Sequence, residues 1–183
     1  MPFGKPGARD IDGWFAAELA RARRRRYFRR LAIAALAVAL IVWILFGVVF
    51  EIATVRGSSM SPTLRDGDVV LSWRLSSEYA FGDVVIIANT GRRDYIKRII
   101  GTPGDTIAID GESGTVLRNG EALEEPYAAG ATLPREEGVL FTVTLGEGEY
   151  FLLGDNRLYS YDSRDWGLVD KERIKAKVIL PAI

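Results

Sequence analysis

The chain of 183 residues contains no cysteine and no histidine. Without cysteine it has neither disulfides nor a thiolate nucleophile. Without histidine it offers a metal only carboxylate ligands, so a zinc hydrolase is disfavoured, and we expect no metal site and no cofactor. A serine attacks an acyl carbon only when a base takes its proton, and the usual base is an imidazole. A serine hydrolase built on this chain must therefore use a different base.

Lysine is scarce in the middle of the chain, where Lys97 is the only lysine between Lys5 and Lys171. It lies in an apolar run whose alternation places Tyr95, Lys97 and Ile99 on one face of a predicted strand. A lysine of ordinary pKa, about 10.4, is protonated at neutral pH and cannot act as a base. Burial can lower that pKa by roughly 3–5 units. Lys97 is therefore a candidate general base.

The net charge of zero conceals an uneven distribution. Residues 1–30 carry nine Lys/Arg against three Asp/Glu, whereas residues 31–183 carry fifteen against twenty-one. Residues 31–50 contain no charge, and a helix of that length spans about 30 Å, the thickness of a bilayer core. Because basic flanks stay cytoplasmic, we predict a cytoplasmic segment over 1–30, a plasma-membrane anchor over 31–50 and an extracytoplasmic catalytic domain over 51–183.

A cleavable signal peptide is the alternative interpretation of the apolar run, since Arg25 and Arg26 resemble a twin-arginine export signal. The run is longer than the roughly 7–15 apolar residues of such signals, and no small-x-small cleavage site follows Phe50. This favours an uncleaved anchor. The arginines beside it are expected to contact anionic lipid headgroups rather than nucleic acid.

Beyond the anchor the pattern is that of short strands separated by turns. The turn signals include Asp66-Gly67, Asp110-Gly111 and Asn119-Gly120. No long amphipathic helix is predicted there. We expect a mainly β domain of antiparallel sheets or a partly closed barrel, with a small inserted lobe at about 105–149. The predicted strands are 68–73, 83–88, 94–101, 106–110, 115–118, 139–144, 150–153 and 176–180.

Two polar segments carry further candidate site residues. Ser59 stands between Gly57 and Pro62, in a loop that can present both its hydroxyl and a backbone N–H. The segment 154–167 follows an apolar strand and offers Ser160 as a hydrogen-bonding partner. Its acidic residues are predicted to form ion pairs, with the partners left open: Asp155 and Asp162 with Arg98, Arg157 or Arg164.

Four segments of the chain resemble the sequence boxes of the bacterial type I signal peptidases. They are GSSMSPTL at 57–64, GDVV at 82–85, YIKRIIGTPGD at 95–105 and GDNRLYSYDSRDWG at 154–167. Their order and spacing and the upstream anchor also agree with that family, over about residues 40–180. The resemblance implies the antiparallel fold of that family with one N-terminal transmembrane helix.

The resemblance also implies roles for individual residues. Ser59 is implied as the nucleophile, Lys97 as the general base and Ser160 as the residue that holds the lysine amine. Some family members place a second oxyanion donor two residues before the nucleophile, where this chain has Gly57. The implied substrate-binding residues are Val55, Met60, Leu64, Tyr95 and Ile96, with Ile87 and Leu152 beside Tyr95 around the lysine. The implied structural supports of the site are Asp155, Asp162, Arg98 and Arg164.

The predicted function is that of a membrane-anchored serine endopeptidase which removes signal peptides from exported preproteins after small residues, at Ala-x-Ala sites. Its expected partners are preprotein signal peptides and membrane lipid, with the secretion translocon as a further candidate and no nucleic acid. A dedicated maturation peptidase of the same fold, of the pilus or conjugation type, is an alternative that the sequence does not separate.

Three other classes are less well supported. Self-cleaving repressors share a Ser/Lys site but carry a DNA-binding domain, which a transmembrane span argues against. An inactive membrane-anchored binding module is disfavoured by the intact Ser59, Lys97 and Ser160. A penicillin-binding enzyme requires an S-x-x-K box, and Pro62 stands three residues after Ser59.

Overall fold

The computed structural model describes residues 8–89, 93–135 and 141–181, in two compact units that divide between Leu45 and Phe46. The first unit consists of the helix α1, Ala8–Ile44. Helix formation extends well before residue 31 because the preceding stretch is rich in alanine and arginine, both strong helix formers. The division into 1–30, 31–50 and 51–183 stays a prediction.

The helical segment Gly13–Val49 contains an 18-residue window of mean hydropathy 2.9 in which no residue is buried. A helix that is apolar all round needs an apolar environment, and its length suffices to cross a bilayer. By length and composition it is therefore a candidate membrane span. A π-helical turn, Leu45–Val49, precedes the first strand.

In the described part of the second unit, eleven strands account for most of the regular structure. A one-turn helix α2, Ser163–Trp166, and a 3₁₀ turn, Lys171–Arg173, lie between the last strands. The strands are β1 Phe50–Thr54, β2 Val69–Trp73, β3 Val84–Ile87, β4 Tyr95–Gly101, β5 Thr106–Ile109, β6 Val116–Arg118, β7 Glu121–Ala122, β8 Phe141–Thr144, β9 Glu149–Leu153, β10 Val169–Asp170 and β11 Ile174–Pro181.

The strands form two open antiparallel sheets. The larger sheet has the order β1-β2-β11-β3-β4-β9-β10, and the smaller has the order β7-β6-β5-β8. Strands β1 and β10 are the two ends of the larger sheet, so the barrel is not closed. The prediction of a mainly β domain of antiparallel sheets is confirmed. The smaller sheet is built from residues within the segment 105–149 that we assign to an inserted lobe.

All eight predicted strands have a counterpart, with ends that differ by at most two residues where they can be compared; residues 139 and 140 lie outside the described residues. Three strands were missed: β1, β7 and β10. Strands β7 and β10 have two residues each, too few to show alternation. Strand β1 was missed because its apolar residues continue the hydrophobic run of the anchor.

Strand β4 lies inside the larger sheet between β3 and β9, and each of its faces packs against a different core. The first core contains the buried Val85, Ile87, Ile99 and Leu152. The second contains Val55, Met60, Leu64 and Val70, under the loop that carries Ser59. Each such fully buried side chain contributes roughly 1.5–3 kcal/mol. The candidate site is therefore held by two independent cores.

Candidate active site

Ser59 lies in the loop between β1 and β2, and buried apolar side chains fix that loop. Met60 and Leu64 are 1% and 2% exposed, and the Leu64 amide donates to the Met60 carbonyl at 2.9 Å. Gly57 has φ +86°, a left-handed conformation that glycine adopts without strain. Its amide donates to Asp66 Oδ1 at 2.7 Å. Ser59, between these fixed points, is only partly buried and faces a cleft.

Lys97 occupies the third position of β4 and is 2% exposed. Its partner across the ladder is Val85 on β3, and its amine lies 5.7 Å from the centroid of the Tyr95 ring. Lys97 Nζ donates to Ser59 Oγ at 2.8 Å. The fold thus joins two groups that are 38 residues apart in the chain.

The apolar surroundings change the acidity of the lysine. Burial lowers the pKa of Lys97 from its ordinary 10.5 to about 8, although the negative charges of Asp162 and Asp155 act in the opposite direction. A substantial fraction of the amine is then neutral near physiological pH. A neutral amine can accept a proton, so the same contact allows the Ser59 hydroxyl to donate to the amine. The arrangement has the chemistry of a nucleophile and its base.

Both ion pairs predicted for the segment 154–167 are present, and the structure selects their partners. Arg98 donates to both oxygens of Asp155, at 2.8 and 2.7 Å, and Asp155 is fully buried. Arg164 donates to both oxygens of Asp162, at 2.9 Å each. Burial alone would raise the pKa of Asp162, but hydrogen bonds from Arg164 and its positive charge lower it. The Arg98–Asp155 pair connects the segment to β4, and the Arg164–Asp162 pair fixes the conformation within the segment.

Ser160 lies beside Ser59 but has no direct bond to the lysine. Its hydroxyl is buried and makes no well-aligned hydrogen bond within the described residues, but it lies close enough to Asp162 to help lower the pKa of that carboxyl. It is packed so tightly against Gly154 that a Cβ there would lie 2.2 Å from Ser160 Oγ and 2.5 Å from the Ser59 carbonyl oxygen. Only glycine fits at position 154. The implied role of Ser160 in holding the amine stays a prediction.

A cleft of about 390 Å³ opens beside the Ser59–Lys97 pair. Residues of the segments 51–60 and 93–97 line it, together with Ile86. Of the predicted substrate-binding residues, four line this cleft: Val55, Met60, Tyr95 and Ile96. Leu64 does not; it packs behind Val55 and Met60 and borders a separate cavity of about 200 Å³. Ile87 and Leu152 lie in the core that Tyr95 also contacts.

Residues 26–183 match the family model described as signal peptidase, peptidase S26. The chain belongs to this family. The resemblance of the four sequence boxes is thereby confirmed, and the chain is a peptidase of family S26. The described residues contain no group of three or more acidic side chains placed to hold a metal ion.

Relatives in this family come from several bacteria. Signal peptidase I of Bacillus licheniformis is 41% identical over 136 residues, which cover 68% of this chain and 72% of the relative. Signal peptidase I T of Bacillus subtilis (strain 168) is 40% identical over 136 residues, 68% of this chain and 69% of the relative. Signal peptidase IB of Staphylococcus aureus (strain Mu50 / ATCC 700699) is 34% identical over 143 residues, 68% and 73% of the two chains. A crystal structure of a signal peptidase I from Enterococcus faecalis V583 aligns with TM-score 0.47 and 30% identity, over 56% of this chain and 98% of that chain.

Sequence reasoning missed the contacts that the S26 peptidase makes between the segment 125–135 and the segment 154–167. Arg157 is 1% exposed and donates to Glu125 at 2.8 and 2.6 Å, instead of pairing with Asp155 or Asp162. Arg135 donates to Asp165 at 2.8 Å and also to the carbonyl of Ser160. Arg157 and Glu125 are 32 residues apart, and Arg135 is 30 residues from Asp165 and 25 from Ser160, so no local pattern could have found these contacts.

Proposed function

We propose that the protein is a membrane-anchored serine endopeptidase that removes signal peptides from exported preproteins after small residues. Ser59 is the nucleophile and Lys97 the general base. One observation carries the proposal: a serine hydroxyl lies 2.8 Å from a buried lysine amine whose pKa burial lowers to about 8. The family membership supports the same function.

The reaction follows from that contact. Ser59 Oγ attacks the scissile carbonyl carbon while its proton passes to Lys97 Nζ. The resulting tetrahedral intermediate collapses by breaking the C–N bond, and the lysine returns the proton to the leaving amine. A water molecule then attacks the acyl-enzyme carbonyl and gives a proton to Lys97 Nζ. Collapse of the second tetrahedral intermediate breaks the bond between the acyl carbon and Ser59 Oγ, Lys97 returns the proton to Ser59 Oγ, and the carboxylic product leaves.

The oxyanion of the intermediate needs a hydrogen-bond donor, and the Ser59 backbone N–H is the candidate. Within the described segments this N–H donates to no protein acceptor, whereas the Ser59 carbonyl accepts from the Asn156 amide at 3.0 Å. Gly57 supplies no hydroxyl. A preorganised donor of this kind is worth roughly 10²–10³ in rate.

The two charged pairs at the site are proposed to hold other residues in position and to make no contact with substrate. Asp155 with Arg98, and Asp162 with Arg164, fix the segment on which Ser160 stands. Ser160, buried on that segment, is proposed to offer the lysine amine a hydroxyl. We assign these five residues positioning roles.

Substrate binding is proposed to add a strand to the sheet. Strand β1 is an end strand of the larger sheet, and residues 51–56 form one wall of the cleft. An extended peptide can pair with such an edge while its alternate side chains enter pockets. The buried Val55 and Met60, with Ile96, make the floor of the cleft apolar and shallow. This surface suits small side chains at the −1 and −3 positions of the substrate.

The helical span has a function in this scheme. The basic flank orients the N-terminus toward the cytoplasm and the catalytic domain toward the opposite side. Because enzyme and substrate are anchored in the same membrane, the local concentration of substrate near the enzyme is raised. Membrane lipid and the secretion translocon are the further partners that this location implies.

The test uses the full-length protein in neutral detergent and a preprotein with an Ala-x-Ala site. Wild type is expected to release the mature protein, with its N-terminus directly after the small residue at −1, and Ser59→Ala is expected to release none. The adjacent exposed Ser58 supplies a matched control, since Ser58→Ala should keep its activity. Equal loss in both serine variants, or cleavage by Ser59→Ala, would show that Ser59 is not the nucleophile.

A further inference from the structure

Among the described residues, four charged side chains line the cleft in addition to Lys97: Glu51, Arg56, Arg93 and Asp94. The two acidic ones are already neutralised. Glu51 pairs with Arg74 at 3.1 Å, and Asp94 pairs with Lys175 at 2.6 Å. Neither cation lines the cleft. The negative charges of the cleft are therefore compensated from outside it.

The two basic residues of the cleft, Arg56 and Arg93, have no such compensation. Within residues 8–89, 93–135 and 141–181, neither guanidinium forms an ion pair with a carboxylate. Both side chains are exposed, whereas Val55, Met60 and Ile86 of the same cleft are buried. The cleft thus combines an apolar floor with a rim that carries two uncompensated positive charges.

The two arginines belong to the two segments that line the cleft, 51–60 and 93–97, and are close in sequence to the proposed reacting groups. Arg56 precedes Ser59 by three residues, and Arg93 precedes Lys97 by four. In an extended peptide successive side chains point to opposite faces. When the −1 and −3 side chains face the apolar floor, those at −2 and −4 face the rim.

We propose that Arg56 and Arg93 are specificity-determining residues that favour substrates with an acidic side chain at −2 or −4. The proposal rests on the proposed endopeptidase function and adds a charge preference to it. Exposed ion pairs are weak, so each arginine is expected to contribute about a two- to five-fold preference. The preference should shrink in high salt, because the screening length falls from about 10 Å at 0.1 M to about 3 Å at 1 M.

The experiment compares synthetic peptides with one Ala-x-Ala site that differ only at −2 or −4, where they carry Asp, Asn or Lys. The full-length protein is assayed in neutral detergent at low and high salt, and kcat/KM is measured for each peptide. We expect Asp to be cleaved faster than Asn, and Asn faster than Lys, at one or both positions. Addition of 1 M salt should bring the three rates together.

Variants assign the preference to the arginines. Arg56→Gln and Arg93→Gln should each reduce the ratio of kcat/KM for Asp over Asn, and the double variant should bring it close to one. Arg56→Glu should favour Lys over Asp. Arg65→Gln is the matched control, since Arg65 is also exposed and follows Ser59 in the same loop but does not line the cleft. It should keep the wild-type ratio.

Three outcomes would overturn the proposal. One is equal cleavage of the three peptides by wild type, which leaves the endopeptidase function intact but removes the charge preference. Another is a preference that persists in the double variant. The third comes from repeating the assay with anionic phospholipid vesicles. If the arginine substitutions then lower kcat/KM equally for all peptides, and do so only when the lipid is present, the arginines bind headgroups. Failure of wild type to cleave any peptide would instead overturn the proposed function and the preference with it.

Discussion

The lowered pKa of Lys97 gives a sharp prediction for the pH dependence of catalysis. The neutral amine is the active form, so kcat/KM should fall tenfold per pH unit below about 8 and reach a plateau above it. At pH 7 a lysine with a pKa of about 8 is about 9% neutral, whereas one with its ordinary value of about 10.4 is about 0.04% neutral. Burial therefore raises the active fraction at pH 7 by a factor of roughly 200.

A charge placed opposite the lysine should reverse this effect. Val85 is the cross-strand partner of Lys97 and is fully buried. Directly paired residues have Cβ atoms about 5 Å apart on the same face. With the carboxylate and the ammonium about 5 Å apart and an effective dielectric constant of about 20, the pair stabilises the ammonium by about 3 kcal/mol, or about two pKa units. Val85→Asp should therefore move the acidic limb of the profile from near pH 8 to near pH 10.

The matched variant is Val85→Asn, which has nearly the same shape as Val85→Asp but no charge. Both should be checked for folding by circular dichroism, and their pH profiles measured with one peptide substrate. We expect the aspartate variant to be about 100-fold slower than the asparagine variant at pH 7 and to recover toward pH 10. Superimposable profiles for the two folded variants would refute the assignment of Lys97 as the titrating base. A wild-type limb near pH 10 would show that burial does not lower its pKa.

Five further predictions concern the lysine, its supports and the anchor. Lys97→Arg should abolish cleavage in the same peptide assay, because a guanidinium stays protonated. Lys97→Met should raise the free energy of unfolding at pH 7 by up to about 3 kcal/mol, measured in urea titrations. The pKa of Lys97 is lower in the folded protein than in the unfolded chain, so the unfolded chain binds more protons between pH 8 and 10.5. The stability of wild type therefore falls as the pH falls through that window, and the variant lacks this loss. Asp155→Asn leaves Arg98 partly buried without its carboxylate and should cost about 3–5 kcal/mol, seen as a lower thermal midpoint. Ser160→Ala should lower kcat by about 10–100-fold with little change in KM, since the general base itself, worth roughly 10²–10⁴, remains. A reporter active only in the cytoplasm, fused to the C-terminus, should stay silent in cells; a signal from it would contradict the predicted orientation.

The sequence alone was sufficient to predict the class of fold and most of the strands. Alternating and continuous apolar runs bounded by Asp-Gly and Asn-Gly turns are local signals, and they located all eight predicted strands. The sequence boxes around Ser59 and Lys97 indicated the family, which the match over residues 26–183 confirms. The absence of histidine made the lysine the candidate base before any distance was known.

Local signals failed where structure depends on distant partners. In the sequence, β1 looks like the end of a hydrophobic run. It is a strand because it pairs with β2, in a ladder that runs from Phe50–Trp73 to Thr54–Val69. Leu64 was predicted to line a pocket, yet it packs behind the cleft, because the turn of the loop directs Met60 rather than Leu64 toward it. Which face a loop residue presents is set by tertiary packing and has no fixed period in sequence.

What the sequence by itself determined is the candidate reacting groups, an apolar span and a β-rich domain, since these depend on residue type and local periodicity. Only the tertiary structure decided which arginine pairs with which aspartate, because Asp155 had three candidates and β4 brings Arg98 to it from 57 positions away. The tertiary structure alone also decided the pKa of Lys97. That value depends on burial, and the strands on either side of β4 supply the buried Val85 and Ile87 from β3 and Leu152 from β9. Desolvation is a property of the packed surroundings rather than of the residue.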